Sequence, residues 1–200
     1  MIMRSILVPV TLFLAFSPLT GLSQGHEELS ELKLRVQETA QSFVKTLGST
    51  LKSTIKTNGH EAAIEVCKTV APNLANQISR ETGWRVTRVS LRTRNPLLGA
   101  PDNWERAWLT EIANNPKPTN EQLMTMTLDQ SQPVTTLRFM KALPTGELCL
   151  TCHGKPNDIP TNVASKLREE YPNDRATGYS LGEIRGAISI TATMSHEKKH

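Results

Sequence analysis

Residues 27–56 read EELSELKLRVQETAQSFVKTLGSTLKSTIK, with Leu29, Leu32, Val36, Ala40, Phe43, Leu47, Leu51 and Ile55 recurring at steps of three and four. That spacing lays an apolar stripe along one face of a helix, and Glu, Lys, Gln and Ser cover the remainder. Asn58-Gly59 stops the helix, because both residues tolerate positive φ. A second helix is predicted over Glu61–Glu81, kinked or split by Pro72 and terminated at Gly83. Strand patterns follow. Trp84–Leu91 alternates with a phase slip of the kind a bulge produces. Arg94–Pro101 reads as a loop, and Asp102 caps a helix reaching Asn115, with Glu105 completing a capping box and Trp104, Trp108 and Ile112 on one face. Leu123–Leu128, Val134–Leu143 and Glu183–Met194 are the remaining strand candidates, although Thr119–Gln122 would also start a helix. Long helices followed by strands make one α+β domain.

Working outward, the N-terminus is an address. Met1–Gln24 carries a basic Arg4, an apolar run from Ser5 to Phe16, a break at Pro18, and the small residues Gly21 and Ser23 before a cleavage point. The run is short for a membrane span, so the expectation is a secretory signal over 1–24, a soluble domain over 25–200, and a periplasmic location. An uncleaved anchor helix is the competing reading. The tail from Ser195 to His200 is charged.

Of the 200 residues 38% are apolar and 21% charged, the balance of a folded soluble protein. Three Trp, two Tyr and four Phe are few rings for a core of this size, which leaves room for a flat cofactor in the interior. The net charge of +4, or +3 once Arg4 is removed with the leader, is too small to argue for a nucleic-acid partner. Three cysteines exclude a dense disulfide scaffold.

The strongest chemical signal is Cys149-Leu150-Thr151-Cys152-His153, the spacing of c-type haem attachment. Two thiols three positions apart reach the two vinyl groups of one porphyrin edge, and the next residue, His153, offers the iron an imidazole. Gly154 leaves space for the macrocycle. The export signal fits, because attachment of this kind takes place outside the cytoplasm. Two other readings compete: a zinc site built from Cys67, Cys149, Cys152 and His153, and a disulfide between Cys149 and Cys152. Either would make the chain a periplasmic binding module without haem.

A single haem leaves a second axial position. Met124, Met126, Met140, Met194, His26, His60, His196, His200 and Cys67 are the candidates. The methionines read equally as core filler and the terminal histidines as surface. Cys67 has no partner left once the motif cysteines are used. It is either a small buried apolar residue or a thiolate ligand. For haem propionates, Arg85, Arg88, Arg92, Arg94, Arg138 and Arg185 are candidate partners.

Several segments together resemble an exported single-haem c-type family with a PAS-like fold, whose members occur alone or as input domains of bacterial sensors. The matching pieces are Cys67–Pro72, Val86–Pro96, Pro101–Glu105, Cys149–Gly154, Tyr171–Tyr179 and Gly182–Ser189. The resemblance implies a PAS-like antiparallel sheet with long N-terminal helices and one haem c packed against it. It also implies axial ligation by His153 and Cys67, and favours Arg94 as the propionate partner. Tyr179 is expected at the haem edge or packed beside it. Leu97-Leu98-Gly99-Ala100 departs from the family, where a shorter turn carrying Asn is expected. The family's function is not known; a thiolate on the iron would stabilise the ferric state and lower the potential, so the expected role is a redox or diatomic-gas sensor, or a one-electron carrier, rather than an enzyme. A redox partner or a separate sensor-output protein would act with it.

Overall fold

The computed structural model describes the backbone of residues 20–131 and 134–194, and side chains from residue 25 onward. Most of the segment read as a leader and the tail bearing His196 and His200 lie outside the described residues. Helix α1 (Thr20–Glu65) runs on past Lys56, but Gly59 breaks it with φ 82° and ψ 178°, so the expected stop is a kink in a continuing helix. A π-helical segment, Val66–Val70, joins it to α2 (Ala71–Thr82). Pro72 stands in the first turn of α2, where its missing N–H is tolerated, and Gly83 caps the far end at φ 73°.

Four strands follow: β1 (Arg85–Val89), β2 (Met124–Asp129), β3 (Thr136–Pro144) and β4 (Ile184–Thr193). They form one antiparallel sheet in the order β1-β4-β3-β2. Helices α3 (Pro96–Gly99) and α4 (Asn103–Ala113) lie between β1 and β2. Helices α5 (Glu147–His153) and α6 (Thr161–Glu170) lie between β3 and β4. This is the α+β architecture expected, a long N-terminal helix on a four-stranded antiparallel sheet, consistent with a PAS-like fold.

The sheet is covered on both faces. Leu32, Val36, Ala40 and Phe43, the predicted stripe of α1, meet Val86, Leu137, Phe139, Ile188 and Ile190 in the main core. On the other face Trp104, Trp108 and Leu109 of α4 pack on Val89, Met140 and Ala187. The capping box of α4 is complete: Asp102 Oδ1 accepts from Glu105 N, and Asp102 N donates to Glu105 Oε2. The fully buried Glu105 also accepts from Ser189 Oγ at 2.6 Å, which fastens α4 to β4.

Two expectations are corrected. The phase slip in Trp84–Leu91 is not a bulge, since β1 pairs with β4 in unbroken register from Arg85↔Thr191 to Val89↔Ala187. Val86 and Val89 instead face opposite sides of a sheet that is buried on both. The bulge is in β4, where Leu143 pairs with Gly186 and Pro144 with Ile184, so that Arg185 has no partner on β3. The stretch Arg94–Pro101 is not wholly loop: Asn95 Oδ1 accepts from Leu97 N and starts the single turn α3.

Candidate functional site

The motif forms α5, which begins after Gly146 and ends on His153. Cys149 and Cys152 are one helical turn apart and half-buried. All three cysteines are unpaired. Cys152 packs beside Ile64, Ile159, Val163, Leu167 and Tyr171, and burial pushes its thiol pKa up. Consecutive helical positions therefore point apart, Cys152 towards α6 and His153 towards the sheet. Among the described residues no three His, Cys, Asp or Glu side chains are arranged to hold a metal ion, so the four-residue zinc set is not assembled. The side-chain space at Gly154 belongs to the chain itself: a Cβ there would stand 2.4 Å from the carbonyl oxygen of Leu150, whose hydrogen bond from Gly154 N ends the helix.

His153 is buried, and its ring is oriented from behind. Nδ1 lies 2.6 Å from the carbonyl oxygen of Ala176. A carbonyl only accepts, so Nδ1 carries the hydrogen and Nε2 keeps its lone pair. Burial, reinforced by Arg185 and Arg94, holds the pKa well below the usual histidine value, and the imidazole stays neutral. The strip around Ala176 is sewn to the motif by Gly178 N to Gly154 O (2.7 Å) and Tyr179 N to His153 O (3.0 Å).

Cys67 sits in the π-helical segment. It and His153 line the same cavity of about 250 Å³. Val86, Val89, Leu143 and Gly186 of the sheet lie along it, with Ala71 and Ala75 of α2 on one side and Tyr171 and Ala176 on another. Burial pushes the Tyr171 phenol up to about 12, with Cys67 adding to the shift. Gly186 permits close approach of β4 and β1, because a Cβ there would meet Val89 O at 2.4 Å.

The cavity is cationic. Arg88, Arg92, Arg94 and Arg185 all line it; Arg85 and Arg138 do not. Arg138 is held at Asp102 and lies over Trp104. Arg94 is heavily engaged: it donates to the carbonyls of Cys152 and Ala176 and pairs with Asp174 at 3.1 Å. Tyr179 is buried outside the cavity lining, its ring edge-on to His153 at 6.3 Å and covered by the Arg92 guanidinium at 3.6 Å. Its hydroxyl donates to Arg185 O (3.1 Å), as does Ser90 Oγ (2.6 Å), so both support the β4 bulge.

The structure thus brings Cys67, His153 and Arg94 to one cavity and places Tyr179 behind it, whereas Cys149 and Cys152 lie on α5 outside the cavity lining, Cys152 on the α6 side. None of Met124, Met126, Met140 and Met194, and neither His26 nor His60, lines it. Met140 is buried in the core under α4, and Met124, Met126 and Met194 pack against the main core. The Leu97–Ala100 segment, where the family pattern is broken, puts Leu98 at the cavity edge and leaves Leu97 96% exposed. Sequence reading did not single out Ala176, Asp174 or Ser90 individually. A backbone acceptor has no side-chain signature, and only the neighbouring Tyr171–Tyr179 match pointed there.

Residues 26–193 match the family model described as Tll0287-like. Among solved structures, the chain is similar to the crystal structure of the cyanobacterial heme-protein Tll0287. The identity is 25%, the alignment covers 84% of this chain and 96% of the other, and the TM-score is 0.59. A search of curated proteins returns no match. With nearly all of the described chain inside the matched region, the protein belongs to the Tll0287-like family.

Proposed function

We propose that this chain is an exported, monohaem c-type protein that carries single electrons or senses redox state or a diatomic gas. Haem c would be attached through Cys149 and Cys152, each S–H adding across one vinyl C=C, with His153 Nε2 and Cys67 Sγ on the two axial sides. The observation that carries the proposal is that His153 and Cys67, 86 positions apart in sequence, line one cavity. The donor set fits. His153 has the free Nε2 and the carbonyl-bound Nδ1–H typical of a metal-ligating histidine. The two motif thiols lie on one turn of α5, and the wall is apolar with arginines that suit carboxylates. That a solved structure with this fold is a heme-protein supports the same reading.

Bound haem iron would supply one-electron redox chemistry, and a thiolate ligand would favour its ferric state and a low potential. The chain's own residues neutralise, orient and shield. Ala176 O fixes the imidazole, the sheet and α2 exclude water, and the arginines meet negative charge. A redox partner or sensor-output protein in the periplasm completes the proposal, which assigns no catalysis to the chain.

Protein produced with haem-maturation machinery is expected to give a pyridine haemochrome that resists acid–acetone extraction. Cys67→Ala should keep that haemochrome and change the ferric ligand-field bands. Colourless native protein overturns the proposal. Carbon monoxide added to the reduced protein then separates the roles: a shifted Soret band favours gas sensing, and an unchanged one favours electron transfer.

A further inference from the structure

Cys67 lies where the helix hydrogen-bond ladder is interrupted. In the π-helical segment, Ala71 N donates to Val66 O, five residues back. The next bond in that register would run from residue 72 to the carbonyl of Cys67, but residue 72 is proline and has no N–H. The carbonyl therefore lacks its helical donor. The group that takes its place comes from the sheet: the Arg88 guanidinium donates to Cys67 O at 3.2 Å. Arg88 stands on β1 two residues after Val86, on the face covered by α1 and α2, and lines the cavity beside Cys67.

We infer that Arg88 is the positioning residue for Cys67, holding the π-helical segment against β1 so that the thiol stays directed to the cavity, and that Pro72 creates the need for it. This rests on the reading of Cys67 as an axial ligand. Few hydrogen bonds restrain the segment otherwise. Lys68 pairs with Glu170 on α6, and Thr69 bonds only to Glu65 within the helix.

The test uses the haem-loaded protein, in which Cys67 is the one thiol not consumed by thioethers. Its alkylation by iodoacetamide then reads how often it leaves the iron, alongside the ferric absorption spectrum. Arg88→Met is expected to raise the labelling rate roughly tenfold or more, the scale of a lost charge-assisted hydrogen bond, and to add high-spin character. Arg88→Lys, which keeps charge and a donor, should recover much of the native rate. The decisive variant is Arg88→Met with Pro72→Ala. The restored N–H at residue 72 replaces the missing donor without adding charge, so labelling should fall back towards wild type. Unchanged labelling in Arg88→Met overturns the inference, as does failure of Pro72→Ala to rescue it, which would leave only the charge of Arg88. Should Arg88→Met not fold by circular dichroism, Arg88→Gln takes its place in the same comparison. A wild-type protein without a haemochrome would instead overturn the haem reading.

Discussion

The segment bearing His153 and the segment bearing Cys67 reach the same cavity by opposite constructions. His153 ends a regular helix. Its ring is oriented by Ala176, its carbonyl is bonded by Tyr179 N, and the preceding residue is held by Arg94. Two other stretches of chain, around residues 94 and 176–179, constrain it. Cys67 lies in an over-wide helical turn between a kink at Gly59 and a proline at residue 72, with one contact from the sheet to its carbonyl. One side of the cavity is over-determined and the other is conditional. Under the proposed function, the histidine is the more firmly braced ligand and the thiol the less restrained one.

The sharpest way to break this contrast is to remove the braced side. In haem-loaded protein, His153→Ala should abolish the native six-coordinate ferric spectrum while thioether attachment persists, a larger change than Cys67→Ala produces. A smaller spectral effect from His153→Ala than from Cys67→Ala would reverse the assignment of the two sides.

The next effect is on stability. Arg94→Ala removes the donor to Cys152 O and leaves Asp174 without its largely buried partner. A loss of about 2–4 kcal/mol is expected, with a fall in Tm of roughly 5–15 °C, from the cost of breaking one half of a largely buried ion pair. Differential scanning calorimetry checks it, and a shift below the experimental scatter would mean that the motif is not braced from the β1 side.

The smallest effect is at Glu170, which ties the Cys67 segment to α6. Lys166 and Lys68 hold its carboxyl at about 2, below the usual 4.5. A depressed folded pKa stabilises the fold above the unfolded value, and that contribution fades as pH falls from about 4.5 to about 2. Because the pair is solvent-screened, the gain is slight. Melting curves of wild type and Glu170→Gln should differ slightly at pH 6 and converge near pH 2; a gap that widens on acidification contradicts the assignment.

Much of this architecture is legible in the amino-acid order because it depends on local spacing. The α1 stripe, the Gly59 break, the change of helix at Pro72, the Gly83 cap and the Asp102–Glu105 box each involve residues within a few positions of one another. The four strands were placed to within a few residues. Helices α5 and α6 were not predicted. The first is seven residues long, too short to show periodicity, and the second offers only Val163 and Leu167 as an apolar pair four apart. The slip in β1 was misread because a strand buried on both faces loses its alternation. The true bulge at Arg185 is invisible without knowledge of its pairing partner.

For the site, the pentapeptide and the odd cysteine could be named from residue types and spacing alone, because the proposed attachment chemistry is local to one helical turn. What the tertiary structure decided is everything that depends on the sheet order β1-β4-β3-β2. That order brings residue 67 to residue 153 and turns Arg88 onto an unpaired carbonyl. It also sets Ala176 behind the imidazole and gathers four arginines from two adjacent strands and their loops around one cavity. Hydrogen-bond partners and charge neighbours are set by distance in space, and no pattern along the chain records which backbone carbonyl will be left without its donor.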